Sequence, residues 1–415
     1  MGTRKMITNR LLEVSFNTAI LQRCLKITSI FGVTGIGSLN TLHNHIQISY
    51  NTQEFVFTTE NGSEICKIEK VPYTSLQVYD QQVLENGFTV FVELEVLVNF
   101  ISSLPSNEVK FIFTNTCLEI DYGVKKGNRT KYELTYFNSS TYMPDIQQLI
   151  QSQETTGFLV LDKSLLSKIT DLLLPASAKD SARAFLSGCY IDNSCICSTN
   201  SRLLAHLTLD DSVKRVVPSP FFLPERVIKL LDSLDLSLTL QLYTYHIVCY
   251  TTIPDSTVSI WILTSIKDVS QFPNFMPVLN ATKSYSQQVT LLTSDLKSVI
   301  RLLTPFVDLT MRSLLSISIE SDDYMLFETV TTSNSRKGCE EVPVISITEP
   351  LQAKFSTCLS LSDVSSIISQ LSEGENINTI IYLGDTNEKP IGFYHPDYSY
   401  FLVVSAFVVS SNDKS

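Results

Sequence analysis

Positive charge is scarce in this 415-residue chain, which sets 31 Lys and Arg against 42 Asp and Glu for a formal net charge of -11. A wholly basic nucleic-acid-binding surface is excluded, so any contact with DNA must be regional. Long apolar runs are missing as well: none approaches the roughly 20 residues that span a bilayer. The opening "MGTRKMITNRLLEV" has neither the apolar core nor the small-residue cleavage site of an export signal. A soluble cytoplasmic protein with no membrane partner is expected. The nine cysteines show irregular spacing, which fits reduced core thiols rather than a disulfide framework. The Asn-x-Ser/Thr sites at Asn128 and Asn138 then carry no meaning.

Catalytic constellations are also lacking. "PDSTVS" and "GFYHP" contain reactive groups without the spacing a reaction requires. The glycines of "FGVTGIGSLN" suggest a phosphate loop, yet Gly37-Ser38-Leu39 does not supply its Gly-Lys-Ser/Thr ending. Cys189, Cys195, Cys197 and His206 lie close in sequence, as do His43 and His45. Structural zinc prefers Cys-x2-4-Cys pairs, whereas Cys195-x-Cys197 reads as strand alternation that puts both thiols on one face. No enzyme activity, metal or cofactor is expected.

What is present is a repeat. Leu97, Phe100, Ile101 and Leu104 form the i, i+3, i+4, i+7 stripe of an amphipathic helix. The stripe recurs at Val227, Leu230, Leu231 and Leu234, and at Val364, Ile367, Ile368 and Leu371. Upstream of each, a second helix class is predicted with apolar residues at offsets 0, 4, 8 and 11. Two of its copies are Phe16, Ile20, Cys24, Ile27 and Leu161, Leu165, Ile169, Leu172; the third is Leu292, Leu296, Ile300, Leu303. Segments such as "HIQISYNTQEFVFTTE" alternate between these helices, as half-buried antiparallel strands do. The prediction is an α+β unit repeated three times, in domains 1–153, 154–283 and 284–415, with joints near "QSQETT" and "NATKSYSQ".

With "ARAFLSGCYIDNSCICSTNSRLLAHLTL", "VSQFPNFMPVL" and "HPDYSYFLVVSAFVV" in that order on a triple repeat, the sequence resembles the bacterial-type DNA polymerase III sliding clamp, the β subunit. The resemblance implies three tandem clamp domains, antiparallel sheets outside and two helices per domain inside, closing head to tail as a homodimeric ring on double-stranded DNA. It also implies a peptide-binding pocket between domains two and three for the replicative polymerase and other clamp-binding-motif proteins, and a clamp loader as partner. Carried over, the pocket comprises Leu186, Thr199, Ser201, Arg202, Leu204, Pro273 and Val278, closed by Ile391, Phe393, Val404 and Ala406. The family's Asp-Gly-His-Arg is here Asn200, Ser201, Arg202 and Leu203, and its closing Met-Pro-Met is Val404, Ser405 and Ala406.

Lys26, Lys163, Lys229, Lys297 and Arg301 project away from the apolar stripes and Arg226 lies at a stripe's flank, so the resemblance makes them the DNA-facing cations; read without it, they form a solvated helix face. Tyr132 and Leu134 of one chain match the family's dimer interface, facing Pro305 and Phe306 of the other. A multidomain protein-binding scaffold that does not encircle DNA is the alternative, with a metal-dependent hydrolase a distant third.

Overall fold

A computed structural model describes residues 10–31, 44–51, 54–105, 107–123, 132–137, 143–179, 181–254, 256–306, 314–319, 321–330, 337–348, 355–372 and 377–406. The Gly37-Ser38-Leu39 loop, His43, Asn128 and Asn138 lie outside these residues. Strand, helix, several strands, helix, several strands recurs three times along the chain. The i, i+3, i+4, i+7 stripe falls on the first helix class, Leu94–Ser102, Glu225–Ser233 and Leu361–Ile368. Its stripe is the buried side: Val227, Leu230, Leu231 and Leu234 are all buried, as are Val364, Ile367, Ile368 and Leu371.

The second helix class, upstream of each of these, begins later than its apolar offsets suggest. Phe16 is the next-to-last residue of the strand Arg10–Asn17, Leu161 and Leu292 end the strands Thr155–Leu161 and Gln287–Leu292, and the helices start beyond them. Capping explains two of these starts. The Asn17 side chain accepts from the Ile20 N–H at 3.2 Å and Asp162 from the Leu165 N–H at 2.7 Å, each satisfying a donor the first turn leaves open. The middle copy is also broken. Its α-helix Lys163–Lys168 widens into a π turn over Ile169–Leu173 and tightens into a 3-10 turn at Leu174–Ala176, where Pro175 has no N–H to continue the ladder.

The chain forms two compact units, residues 1–161 with 236–266 and residues 162–235 with 267–415. The middle third of the sequence thus supplies both. In the first unit its strand Ser259–Ser265 pairs along Glu64–Val71, from Ser259 with Glu69 to Thr264 with Glu64. The core there is aromatic, Phe16 meeting Phe55 and Phe111 edge-on at 5.3 and 5.4 Å. In the second unit the strand Leu203–Thr208 pairs with Tyr400–Val404, which pairs with Ile391–His395. Gly188, at φ 152°, lies so close to the strand Phe221–Pro224 that a Cβ would sit 2.3 Å from the Leu223 carbonyl oxygen. No described helix is long and apolar enough to cross a membrane.

Candidate functional site

The polar segment after the strand Cys195–Thr199 is a two-residue hairpin loop. The Asn200 N–H donates to the Leu203 carbonyl at 3.3 Å, and the Asn200 Oδ1 accepts from the N–H groups of Arg202 and Leu203 at 2.9 and 2.8 Å. Thr199 Oγ1 donates to the Leu203 carbonyl at 2.6 Å. Ser201 has φ 76°, a positive value at the first central position alone, which belongs to the II′ turn and favours Gly. Ser201 and Arg202 are exposed, while the Arg202 carbonyl accepts from the Ser405 N–H at 2.9 Å. The turn is therefore tied to the end of the last strand.

Leu186 and Leu204 belong to one buried cluster with Phe222, Phe272, Phe275, Leu279, Phe401 and Val403. Phe272 stacks on Tyr190 at 5.2 Å and meets Phe275 edge-on at 6.2 Å. Thr199 is the pairing partner of Leu204 and shares its face. Pro273 is exposed between the two buried phenylalanines, and the helix Met276–Lys283 that follows buries Leu279 while leaving Met276 45% and Val278 46% exposed. An aromatic wall thus carries an accessible apolar ledge.

Three predicted pocket residues require correction. Leu204 pairs with Val403, and Val403 with Gly392, so these lie on one face. Val404 pairs with Leu203 and Ile391, and Phe393 with Leu402; Ile391, Phe393 and Val404 therefore point to the opposite face, all buried. A one-residue slip in a strand moves every side chain across the sheet. Phe401, Val403, Gly392 and Tyr394 are the residues that the sequence reading missed. Gly392 is needed there because a Cβ would stand 2.6 Å from the Phe401 ring and 2.8 Å from Thr282. Ala406 follows the strand and is half-buried.

Cys195 and Cys197 share a strand face, as predicted, and both are buried. Burial raises the Cys195 thiol to about 12, leaving a neutral core group rather than a nucleophile. Among the described residues, no group of three or more His, Cys, Asp or Glu could hold a metal ion.

The predicted DNA-facing cations occupy helices as expected, with Lys26, Lys163, Arg226, Lys229 and Arg301 exposed and Lys297 half-buried. Several are engaged by the chain itself. Lys163 Nζ lies 2.5 Å from Asp235 Oδ1, and Lys229 Nζ lies 2.5 Å from Glu225 Oε1 one turn earlier. Lys297 Nζ donates to the Leu371 carbonyl at 2.7 Å.

Of the predicted interface residues, Tyr132 is exposed and packs on the Phe100 ring at 4.5 Å, with Leu134 half-buried beside it. Their strand, Tyr132–Phe137, pairs with Cys117–Asp121 through Tyr132 to Thr135, and with Phe88–Glu93 only through Tyr136 and Phe137. Pro305 and Phe306 are exposed in the 3-10 turn Thr304–Phe306.

Comparison with solved structures decides the fold. The DNA polymerase III β subunit of Thermotoga maritima superposes with a TM-score of 0.77 at 14% identity, over 96% of this chain and 100% of its own. The chain has the β sliding-clamp fold. The Borrelia burgdorferi β subunit, solved with a natural product, gives a TM-score of 0.75 at 12% identity over 98% of this chain and 100% of its own. The Pseudomonas aeruginosa sliding clamp bound to griselimycin gives 0.74 at 14% identity over 96% and 100%. No protein-family model and no curated protein matches the sequence, so the clamp fold is retained here on a sequence far from those of its solved neighbours.

Proposed function

We propose that this protein is a DNA sliding clamp. Two chains, each of domains 1–153, 154–283 and 284–415, close head to tail around duplex DNA. The ring holds DNA without reading sequence and tethers the replicative polymerase and other clamp-binding proteins. A clamp loader places it on DNA, and it acts in the cytoplasm at the nucleoid without catalysing a reaction. The observation that carries this reading is the match to clamp structures along 96% to 98% of the chain; a likeness confined to one clamp-type domain would leave most of it uncovered. The cations on the helix faces suit phosphate contact, which positions a protein on DNA without sequence information. The ledge of Met276 and Val278 beside the wall of Leu186, Leu204 and Val403 suits an apolar peptide anchor.

The pairing of Lys163 and Lys229 with carboxylates favours the alternative, a protein-binding scaffold that does not encircle DNA. Retention on circular DNA separates the two. A clamp loaded onto nicked circular duplex co-elutes with it on a sizing column and is released when the DNA is linearised. Absence from the circle, or persistence after linearisation, would sink the clamp reading.

A further inference from the structure

We propose that the helices Lys163–Lys168 and Glu225–Ser233 hold their DNA-facing cations in reserve on the chain's own carboxylates, so that phosphate reaches Lys163 and Lys229 only by displacing Asp235 and Glu225; this rests on the sliding-clamp reading above. Glu225 is built into place. Its Oε1 lies 2.5 Å from Lys229 Nζ, and its Oε2 lies 3.3 Å from Ser177 Oγ, whose hydroxyl has its shorter bond, 2.8 Å, to the Leu174 carbonyl. Glu225 is the first residue of its helix, where the positive end of the helix dipole favours a carboxylate. The Glu225 side chain is 23% exposed against 57% for Lys229, so the carboxylate is the fixed partner and the ammonium the movable one.

The Asp235 backbone is held in place, although its side chain and that of Lys163 are 68% and 67% exposed. It has φ 57° just beyond the same helix, and its N–H donates to the Asp232 carbonyl at 3.0 Å. Its carboxylate meets Lys163, the first residue of the neighbouring helix. An arriving phosphate then exchanges one anion for another on each lysine and leaves a bare carboxylate near the duplex. The gain per contact is smaller than for an unpaired cation, and the net release of counterions falls. The grip is weakened where the ring must slide.

The test is anisotropy of a fluorescent linear duplex titrated with the full-length protein across a salt series. The double variant Glu225→Gln with Asp235→Asn should bind several-fold more tightly at low salt and steepen the log-affinity against log-salt slope by up to about 0.9 per freed lysine. Adding Lys163→Ala and Lys229→Ala to that variant should abolish the gain. Glu388→Gln with Asp211→Asn, which changes net charge equally at exposed positions outside these two helices, should leave the slope unchanged. A gain equal to that of this control overturns the proposal. So does unchanged binding after carboxylate removal in a protein whose binding falls on Lys163→Ala and Lys229→Ala, and the clamp reading survives that result. No duplex binding by wild type or any variant overturns the proposal alone, because the clamp reading stands or falls on loaded retention on circular DNA.

Discussion

At Ser201 a side chain occupies a backbone conformation that suits glycine. The φ of 76° brings Cβ toward the backbone at a cost of about 1 to 2 kcal/mol, partly offset by the lower unfolded-state entropy of serine. Ser201→Gly is therefore expected to raise stability by about 0.5 kcal/mol, read as a higher urea midpoint with unchanged slope. His206 acts in the opposite sense. It is buried beside Phe275, and its Nδ1 has no hydrogen-bond partner among the described residues. Burial, and secondarily the nearby Lys283 charge, lower its pKa to about 4. The neutral ring is the folded form, so its stabilisation is fully present above the unfolded value of about 6.5 and is lost as pH falls toward 4. The loss is on the order of 3 kcal/mol. Urea unfolding between about pH 7 and pH 4 should show this decline, and His206→Phe should flatten it; an equal decline in that variant would assign the effect elsewhere.

Among the elements, the capped helix starts show how local chemistry overrides a periodic pattern. Phe16 and Leu161 fit the helical offsets and nevertheless lie in strands, because Asn17 and Asp162 cap the helices one residue later. Asp162→Ala should cost about 1 kcal/mol in chemical denaturation while leaving the sheets intact, and a loss below a few tenths would show that Asp162 does not anchor the start. The π turn at Ile169–Leu173 was not legible, since its residues keep an apolar pattern and the widening shows only in the hydrogen bonds. The strand facing at the candidate pocket was hidden for a related reason. Tyr400 to Val404 is buried at every position, so no polar alternation marks which residues accompany Leu204, and only the pairing of Leu204 with Val403 does so.

For the whole molecule, assembly is the decisive property of the proposed function. Three repeats complete a six-domain ring only with a second copy, and Tyr132 and Phe306 present exposed aromatic surface at the proposed interface. Tyr132→Asp with Phe306→Asp should convert a sedimenting dimer to monomer and abolish retention on circular DNA. A wild-type protein that sediments as monomer across the micromolar range would argue against a stable ring. The sequence by itself determined the two recurring helix types, the alternating strands and their triple repeat, because stripes at period 3.6 and alternation at period two record which side of a segment is buried. It also placed Lys26, Lys163, Arg226, Lys229, Lys297 and Arg301 on helices. Tertiary structure decided the rest: that the middle third shares its strands between two units, that Ile391, Phe393 and Val404 face away from Leu204, and that Lys163 is paired with Asp235. Strand register and the Lys163–Asp235 pair join residues distant in sequence, and neither leaves a periodic trace along a single segment.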